Sequence, residues 1–498
     1  MTVWSAREHH RFEAAGKPFV YLVPSAAIFE LDEAADAVLQ TLRERPRTRD
    51  ELVAGTEVPG GDGGSWRGRR SLGGTEVVDA ALAELARVQA IAEVNAPVAP
   101  TPKVIPLAPF PLTTMVLNVT NQCNLSCEYC YEYGEDKIVD TENGRQPKFM
   151  SEQTARDSVD FMLRESGDNK VAHVTFFGGE TLLNFPVLQK TIAYARQRGA
   201  ELGKQVDFSL TTNGTLLKPD VIEFLAENQV GVTISIDGPK EVQDQFRVFS
   251  NGTGSYDIVI PKIRELLRRH RTRPVGARVT LTTNQLDIRR IFQHLTEEVG
   301  FWEVGFAPVT TAPNRDYAIA EDGFDSMLRQ FQALAADFLE AALEGRHHGF
   351  SNVKDTLEEI HKGVSKPFPC GAGLGLLGVS TDGDVALCHR FAGSEAHKMG
   401  TVRTGIDRLV QIGFLEKHHI ADKTDCSQCW ARPMCAGGCY HEAHTRYGDT
   451  ARPNLHYCEW IRAWTDTCLR IYGELSARNP GFLEQFDDKV EHETSQVS

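Results

Sequence analysis

Thr113-Thr114-Met115-Val116-Leu117-Asn118-Val119-Thr120-Asn121-Gln122-Cys123-Asn124-Leu125-Ser126-Cys127-Glu128-Tyr129-Cys130 is the stretch that decides how this chain reads. Residues 113–120 form an apolar, strand-like run. Three cysteines follow at Cys-x3-Cys-x2-Cys spacing: Cys123, Cys127 and Cys130. Three thiolates this close can wrap one corner of an iron–sulfur cube and leave its fourth iron without a protein ligand. A structural metal site is normally closed, so an open position invites a substrate or cofactor. Taken alone, the trio also allows a zinc site or unrelated thiols.

Composition bounds the rest. The 498 residues suffice for several domains and a sizeable core. Hydrophobic residues make up 41%, ordinary for a globular protein. No apolar run reaches the ~18 residues of a membrane span. Residues 1–18 are polar and lack a signal-peptide core, so a cytoplasmic location is expected. A net charge of −15 argues against broad nucleic-acid binding. The eleven cysteines are placed unevenly, with none before Cys123 and eight from Cys370 to Cys468. An odd number in a chain of this kind makes a poor disulfide framework. Ligation of metal clusters explains the clustering better, with a C-terminal zinc ribbon as the runner-up.

Upstream, residues 1–95 read as a small separate domain. Strands are expected at 19–24 and 27–31. Helices are expected at 33–45, where Ala34, Ala37, Val38 and Leu42 fall at helical spacing, at 49–55 and at 77–92. Residues 60–74 are rich in glycine and arginine and read as a mobile loop. Residues 97–111 hold six prolines, so 96–112 is expected to be a stiff linker.

Downstream, residues 113–308 alternate strand and helix. Strands are expected at 113–120, 173–177, 206–212, 232–237, 277–281 and 303–308. Helices at 153–163, 186–197, 221–228, 258–270 and 288–299 separate them. The expected fold class is α/β, a partial (β/α)6 TIM-like barrel over 113–345. Ligands of such folds lie at the C-terminal strand ends, where the cysteine trio falls. A long helix over 325–343 leads into a cysteine-rich region at 346–475, and a polar tail fills 476–498.

Three strand ends carry further polar groups. Gly178-Gly179-Glu180 permits close backbone approach and supplies a carboxylate that can accept from an ammonium. Thr211-Thr212-Asn213-Gly214 offers hydroxyls and an amide. Ser235-Ile236-Asp237-Gly238 ends the fourth strand, and Arg247 follows in Asp244-Gln245-Phe246-Arg247.

With the trio and Tyr129 just before its last cysteine, these segments resemble the radical S-adenosylmethionine (SAM) enzymes. The resemblance implies that Cys123, Cys127 and Cys130 hold a 4Fe–4S cluster whose open iron binds SAM. It implies that one electron cleaves SAM to a deoxyadenosyl radical. Gly178, Gly179 and Glu180 would hold the SAM amino group, and Thr212 and Asn213 the ribose. Ser235 and Arg247 would hold the SAM carboxylate, and Tyr129 would pack beside the adenine. Gln243 stands where that family often has histidine.

The later cysteines run Cys370, Gly383-x4-Cys388, Cys426-x2-Cys429-x5-Cys435-x3-Cys439 and Cys458. They resemble the SPASM extension of radical SAM enzymes. That resemblance implies two auxiliary 4Fe–4S clusters, making three in all. Cys426, Cys429, Cys435 and Cys458 would close one. Cys370, Cys388 and Cys439 would hold the other and leave an iron open for a substrate thiolate. Cys468 is left over, as a buried thiol or the missing ligand. His389 follows Cys388 and is the candidate catalytic residue for proton handling, with a structural role as the alternative. Gly373-x-Gly375-x2-Gly378 matches a dinucleotide fingerprint only formally, because it lies inside this cysteine-rich loop.

Residues 1–95 resemble the winged-helix-like leader-recognition domains of peptide-modifying enzymes, which take a leader peptide as an added strand. A packing module without a ligand is the alternative. The whole layout resembles the maturases of quinohemoprotein amine dehydrogenase. These form thioether crosslinks from Cys sulfur to Asp or Glu methylenes in the dehydrogenase small subunit. The implied partners are that Cys-rich, leader-bearing polypeptide and an electron donor such as a flavodoxin or ferredoxin. Neither nucleic acid nor membrane is expected. The alternatives are maturases of six-cysteine peptides, which link sulfur to an α-carbon, and formylglycine-forming sulfatase maturases. A non-catalytic zinc-bound peptide adaptor is the reading from another class.

Overall fold

Strands β1 (Val3–Ala6), β2 (His9–Ala14), β3 (Lys17–Leu22) and β4 (Ala27–Glu30) open the chain. Then come α1 (Glu33–Glu44), β5 (Arg47–Thr48), α2 (Arg49–Gly55), β6 (Glu57–Pro59), β7 (Arg69–Ser71), α3 (Thr75–Arg87) and β8 (Ile91–Glu93). This computed structural model describes residues 2–55, 74–95, 110–131 and 148–487, residues 103 and 105, and the backbone of 57–59 and 69–71. Most of the expected loop over 60–74, most of the proline-rich linker and the end of the tail lie outside the described residues.

The helix α1 begins where the Asp32 side chain accepts the Ala35 N–H at 2.7 Å. Its Ala35, Val38, Leu39 and Leu42 are buried. Two strands, β1 and β2, precede those expected from sequence. The third helix stops at Arg87 instead of running to residue 92, because Gln89 takes a left-handed backbone (φ 62°) and turns the chain into β8. Strands β2, β3 and β4 form one antiparallel sheet, and β5, β1 and β8 another. Successive side chains of β3 point to opposite faces. Val20 and Leu22 join α1 and α3 in a local core. Phe19 and Tyr21, with Phe12 and Ala14 of β2, join the main core of the molecule. The first ninety-odd residues are therefore packed into the rest rather than merely tethered to it.

The barrel follows: β9 (Thr114–Thr120), α4 (Glu152–Glu165), β10 (Val171–Gly178), α5 (Phe185–Glu201), β11 (Gln205–Thr212), α6 (Pro219–Glu227) and β12 (Gly231–Ser235). It continues through α7 (Lys240–Phe246), α8 (Tyr256–Arg269), β13 (Val275–Leu281), α9 (Ile288–Gln293) and β14 (Glu303–Pro308). Then come α10 (Glu321–Leu343), α11 (Ser351–His361), β15 (Leu376–Val379), β16 (Asp384–Ala386), β17 (Lys398–Thr401) and β18 (Gly405–Ile406). Helices α12 (Arg408–His418), α13 (Arg432–Cys435), α14 (Tyr440–Tyr447) and α15 (Cys458–Arg478) complete the chain.

The six strands β9 to β14 lie parallel and in sequence order. Beyond β9 the same sheet goes on through β15, which pairs parallel to β9, and then through antiparallel β16, β17 and β18. The fold is the expected α/β partial barrel with a cysteine-rich C-terminal region. A main-chain ladder joins that region to the first barrel strand. A Cβ at Gly378 of β15 would overlap the Cys388 backbone. That glycine in the formal dinucleotide fingerprint thus serves a close approach of two backbone segments. No helix among the described residues is long and apolar enough to cross a membrane.

Candidate active site

The chain leaves β9 into the cysteine loop, which is pinned by the Ser126 N–H donating to Val248 O at 2.7 Å. Cys123 Sγ accepts from the Leu125 N–H at 3.4 Å and from Asn213 Nδ2 at 3.7 Å. Cys123, Cys127 and Cys130 border a cavity of about 540 Å³ at the C-terminal ends of the barrel strands. Burial pushes the Cys123 thiol up to about 12, and Glu180 and the other two cysteines add to the shift. Among the described residues, no three His, Cys, Asp or Glu side chains converge on a single-ion site. Sulfurs around one zinc would sit about 3.8 Å apart, given its Zn–S bond length. The trio instead borders a space, and its N–H···S donors suit thiolate ligands. This donor set fits an iron–sulfur cube better than a lone ion.

Gly178 and Gly179 form the next wall. Gly178 has φ 131°, and a Cβ there would overlap the Thr120 carbonyl oxygen. Glu180 is 1% exposed and does not line the cavity. It accepts from the Leu182 N–H at 3.0 Å, Thr212 Oγ1 at 2.6 Å and the Asn213 N–H at 2.8 Å. Burial pushes its carboxyl up, and these three bonds oppose the shift. Of the segment expected to hold the ammonium, Gly178 and Gly179 border the cavity, while the Glu180 carboxylate braces the loop after β11. Thr212, Asn213 and Ser235 line the cavity as expected from sequence.

Arg247 also lines the cavity, and its Nε lies 3.0 Å from Asp237 Oδ2. The Tyr129 hydroxyl donates to the same carboxylate, and the guanidinium lies 5.5 Å from the Tyr129 ring centroid. Asp237 is itself oriented by Gln243, whose Oε1 accepts the Asp237 N–H at 2.8 Å. Gln243 thus has a structural duty here. Arg247 arrives at the cavity with its charge already met.

The far wall holds Tyr131, Phe177, Arg278, Thr310, His389 and Arg390. Only His389 was singled out from sequence. Its Nδ1 is buried without a hydrogen-bond partner, and its ring centroid is 4.6 Å from that of Phe177. Burial, with Arg390 adding, pushes its pKa down to about 3. Arg390 donates to Thr310 Oγ1 at 3.1 Å and lies over the Tyr131 ring at 4.7 Å. Its position directly after His389 was the available sequence signal.

All eleven cysteines lie among the described residues, and none forms a disulfide. Two C-terminal groups assemble. Cys370, Cys388 and Cys439 are near enough to perturb one another. Cys426, Cys429, Cys435 and Cys458 do the same in a second group. Lys423, 5% exposed, lies where both groups act on its charge, and its Nζ donates to Ala436 O at 3.0 Å. A buried ammonium in such a place fits thiolate-rich, negatively charged groups. Both ring nitrogens of buried His441, two residues beyond Cys439, lack partners. Cys468 is fully buried in the apolar core, away from both groups.

Residues 117–285 match the Radical SAM superfamily. The chain is 29% identical over 375 residues to the serine-type anaerobic sulfatase-maturating enzyme of Bacteroides thetaiotaomicron, covering 70% of this chain and 88% of that one. It is 27% identical over 365 residues to the radical SAM cyclopropyl synthase TigE of Paramaledivibacter caminithermalis, covering 69% and 71%. The solved structure of native anSMEcpe with bound AdoMet superposes with a TM-score of 0.63 at 20% identity, covering 74% of this chain and all of that one. That superposition speaks to the fold.

Proposed function

We propose that this radical SAM enzyme is a peptide maturase that forms intrapeptidyl thioether crosslinks, joining Cys sulfur to Asp or Glu methylenes in the small subunit of quinohemoprotein amine dehydrogenase. The observation that carries this reading is the trio Cys370, Cys388 and Cys439. It is one thiolate short of closing a cluster, and its Cys388 directly precedes His389 and Arg390, which line the cavity. A substrate cysteine is the natural missing ligand.

In this reading Cys123, Cys127 and Cys130 hold the SAM-binding 4Fe–4S cluster. The two C-terminal groups hold auxiliary clusters, the first through Cys370, Cys388 and Cys439 and the second through Cys426, Cys429, Cys435 and Cys458. When bound, SAM and its cluster supply one-electron chemistry that removes a hydrogen atom from an unactivated carbon. Tyr129, Gly178, Gly179, Thr212, Asn213, Ser235 and Arg247 position SAM, and Glu180 fixes the loop that carries two of them. His389, which lines the cavity with its Nδ1 unpartnered, is the candidate for guiding the proton of the substrate sulfur. Each new bridge costs the peptide two hydrogens, one from carbon and one from sulfur.

Residues 1–95 dock the leader on the open edge of β4. Leu31 N–H bonds to Pro18 O at 2.9 Å, and Phe19 is opposite Glu30. Antiparallel alternation then turns the backbone groups of Ile28 and Glu30 outward, ready for an added strand. Tethering raises the local concentration of successive sites. A flavodoxin or ferredoxin in a reducing cytoplasm is the fitting electron donor.

Formylglycine formation is the second reading, favoured by the likeness to sulfatase maturases. Anaerobic incubation with SAM, a strong reductant and the dehydrogenase small subunit, read by mass spectrometry, separates the two. Loss of two hydrogens per bridge, with fragments joining Cys sulfur to an acidic methylene, is expected. Deoxyadenosine formed beside an unchanged subunit would remove the substrate assignment. A formylglycine in a sulfatase peptide would favour the second reading.

A further inference from the structure

We infer that Arg278 and Arg390 form a carboxylate subsite in the cavity, which takes an Asp or Glu side chain of the peptide substrate. The inference rests on the peptide-modifying reading above. On β13, Val275, Ala277, Val279 and Leu281 are buried, while Gly276, Arg278 and Thr280 alternate with them on the opposite face. Arg278 and Thr280 thereby line the cavity. Protein surrounds the Arg278 side chain, yet it stays open to solvent through the cavity. Gly305 on β14 leaves room for it: a Cβ there would sit 3.1 Å from Arg278 Nη1 and 2.8 Å from Ser351 Oγ.

Neither guanidinium forms an ion pair with a carboxylate among the described residues. Arg390 is held by Thr310 and the Tyr131 ring. Cys439 and Cys388, then Glu442, act on Arg390 from beyond contact distance, Asp355 acts likewise on Arg278, and Arg390 repels Arg278. The third arginine of the cavity, Arg247, is answered by Asp237 at 3.0 Å. Unmatched positive charge is thus confined to the β13–β14 side. Two like charges that share one cavity wall, neither in an ion pair with a carboxylate, favour the arrival of an anion between them. Planar forks suit a carboxylate, and Pro308 at the end of β14 and Val309 after it, which also line the cavity, suit its methylene stem. The anion has two possible sources, the carboxylate of SAM or that of a substrate side chain. In the reading above Ser235 and Arg247 take the SAM carboxylate, so a substrate side chain is the better match for Arg278 and Arg390.

The test uses the cluster-loaded enzyme with SAM and two capped peptides, acetyl-Gly-Asp-Gly-amide and acetyl-Gly-Asn-Gly-amide, in calorimetric titrations. The wild type is expected to bind the aspartyl peptide about tenfold more tightly. Arg278→Gln should reduce that preference to about twofold or less, and Arg278→Lys should restore part of it. If Arg278→Gln does not fold, Gly305→Ala tests the same point by crowding the guanidinium, and should also weaken the preference. Equal binding of the two peptides by the wild type would overturn the proposal. So would a preference that survives Arg278→Gln, or a comparable loss of SAM affinity in that variant, which would assign the anion to SAM. Intact carboxylate preference with no crosslink by mass spectrometry would sink the thioether reading and leave the subsite standing.

Discussion

Glu180 holds three donors on a carboxylate that never meets the cavity, so its effect on SAM is indirect. Glu180→Gln puts an amide N–H₂ among those donors and leaves at least one buried group unsatisfied, at a cost of about 1–3 kcal/mol. SAM affinity is expected to fall about tenfold or more, read by equilibrium dialysis. Cys127→Ala should abolish deoxyadenosine formation altogether, since two thiolates would remain of the trio; retained cleavage would remove the first motif's assignment. His389→Phe keeps a ring against Phe177 but deletes both nitrogens. If those nitrogens guide a proton, crosslinking drops about tenfold or more while peptide binding changes little. At this scale the three cysteine groups were legible because the spacing that brings their sulfurs together is written directly in sequence. Arg278 was not. In a strand alternating with Val275, Ala277 and Val279 it reads as the solvent-facing member, and only closure of the sheet turns that face inward. Glu180 was found, but its direction was not, because its partners at Thr212 and Asn213 come from another strand.

The six barrel strands lie within a few residues of their expected positions, because alternating βα segments carry strong apolar periodicity. Strand β2 escaped notice. His9-His10-Arg11-Phe12-Glu13-Ala14 shows only two apolar residues, and its core face exists because α15 packs on it. The open edge of β4 predicts that Glu30→Pro, which removes an outward N–H and spares the ladder to β3, weakens leader binding about tenfold by fluorescence titration. Glu30→Ala should bind nearly as the wild type does. Helix α12 carries a pH response. His418 is buried, with Nδ1 2.6 Å from Phe414 O and Nε2 2.8 Å from Thr450 Oγ1. Burial pushes its pKa down to about 4. Above the unfolded value of about 6.5 both states are neutral and nothing is lost. Below it the unfolded chain takes up a proton that the folded chain refuses, so stability falls as pH drops toward 4. His418→Gln should lessen the fall in denaturation midpoint between pH 7 and pH 5.

Across the whole molecule, the N-terminal sheet and α15 are packed together. Gly473 of α15 lies against Ala14, Phe12 and Phe19, and a Cβ there would sit 2.6 Å from Ala14 Cβ. His10 Nε2 is 2.6 Å from Asp466, and Arg432 pairs with Glu8. Gly473→Val should therefore destabilise the protein by about 1–3 kcal/mol through overpacking, seen as a lower urea midpoint. The layered order of the chain was readable from cysteine placement and proline content. This docking was not, because it joins residues more than four hundred positions apart, and local periodicity carries no record of such distant partners. The pairing of β15 with β9 bears on biosynthesis. Thr113 and Gly375, 262 residues apart, must meet before that ladder closes. The first cysteine trio leaves the ribosome long before its sheet has a seventh strand, and the N-terminal sheet waits longer still for α15. The group of Cys426, Cys429, Cys435 and Cys458 is likewise complete only once residue 458 has been made, and a ribosome stalled before that residue would hold a nascent chain whose N-terminal sheet still lacks α15.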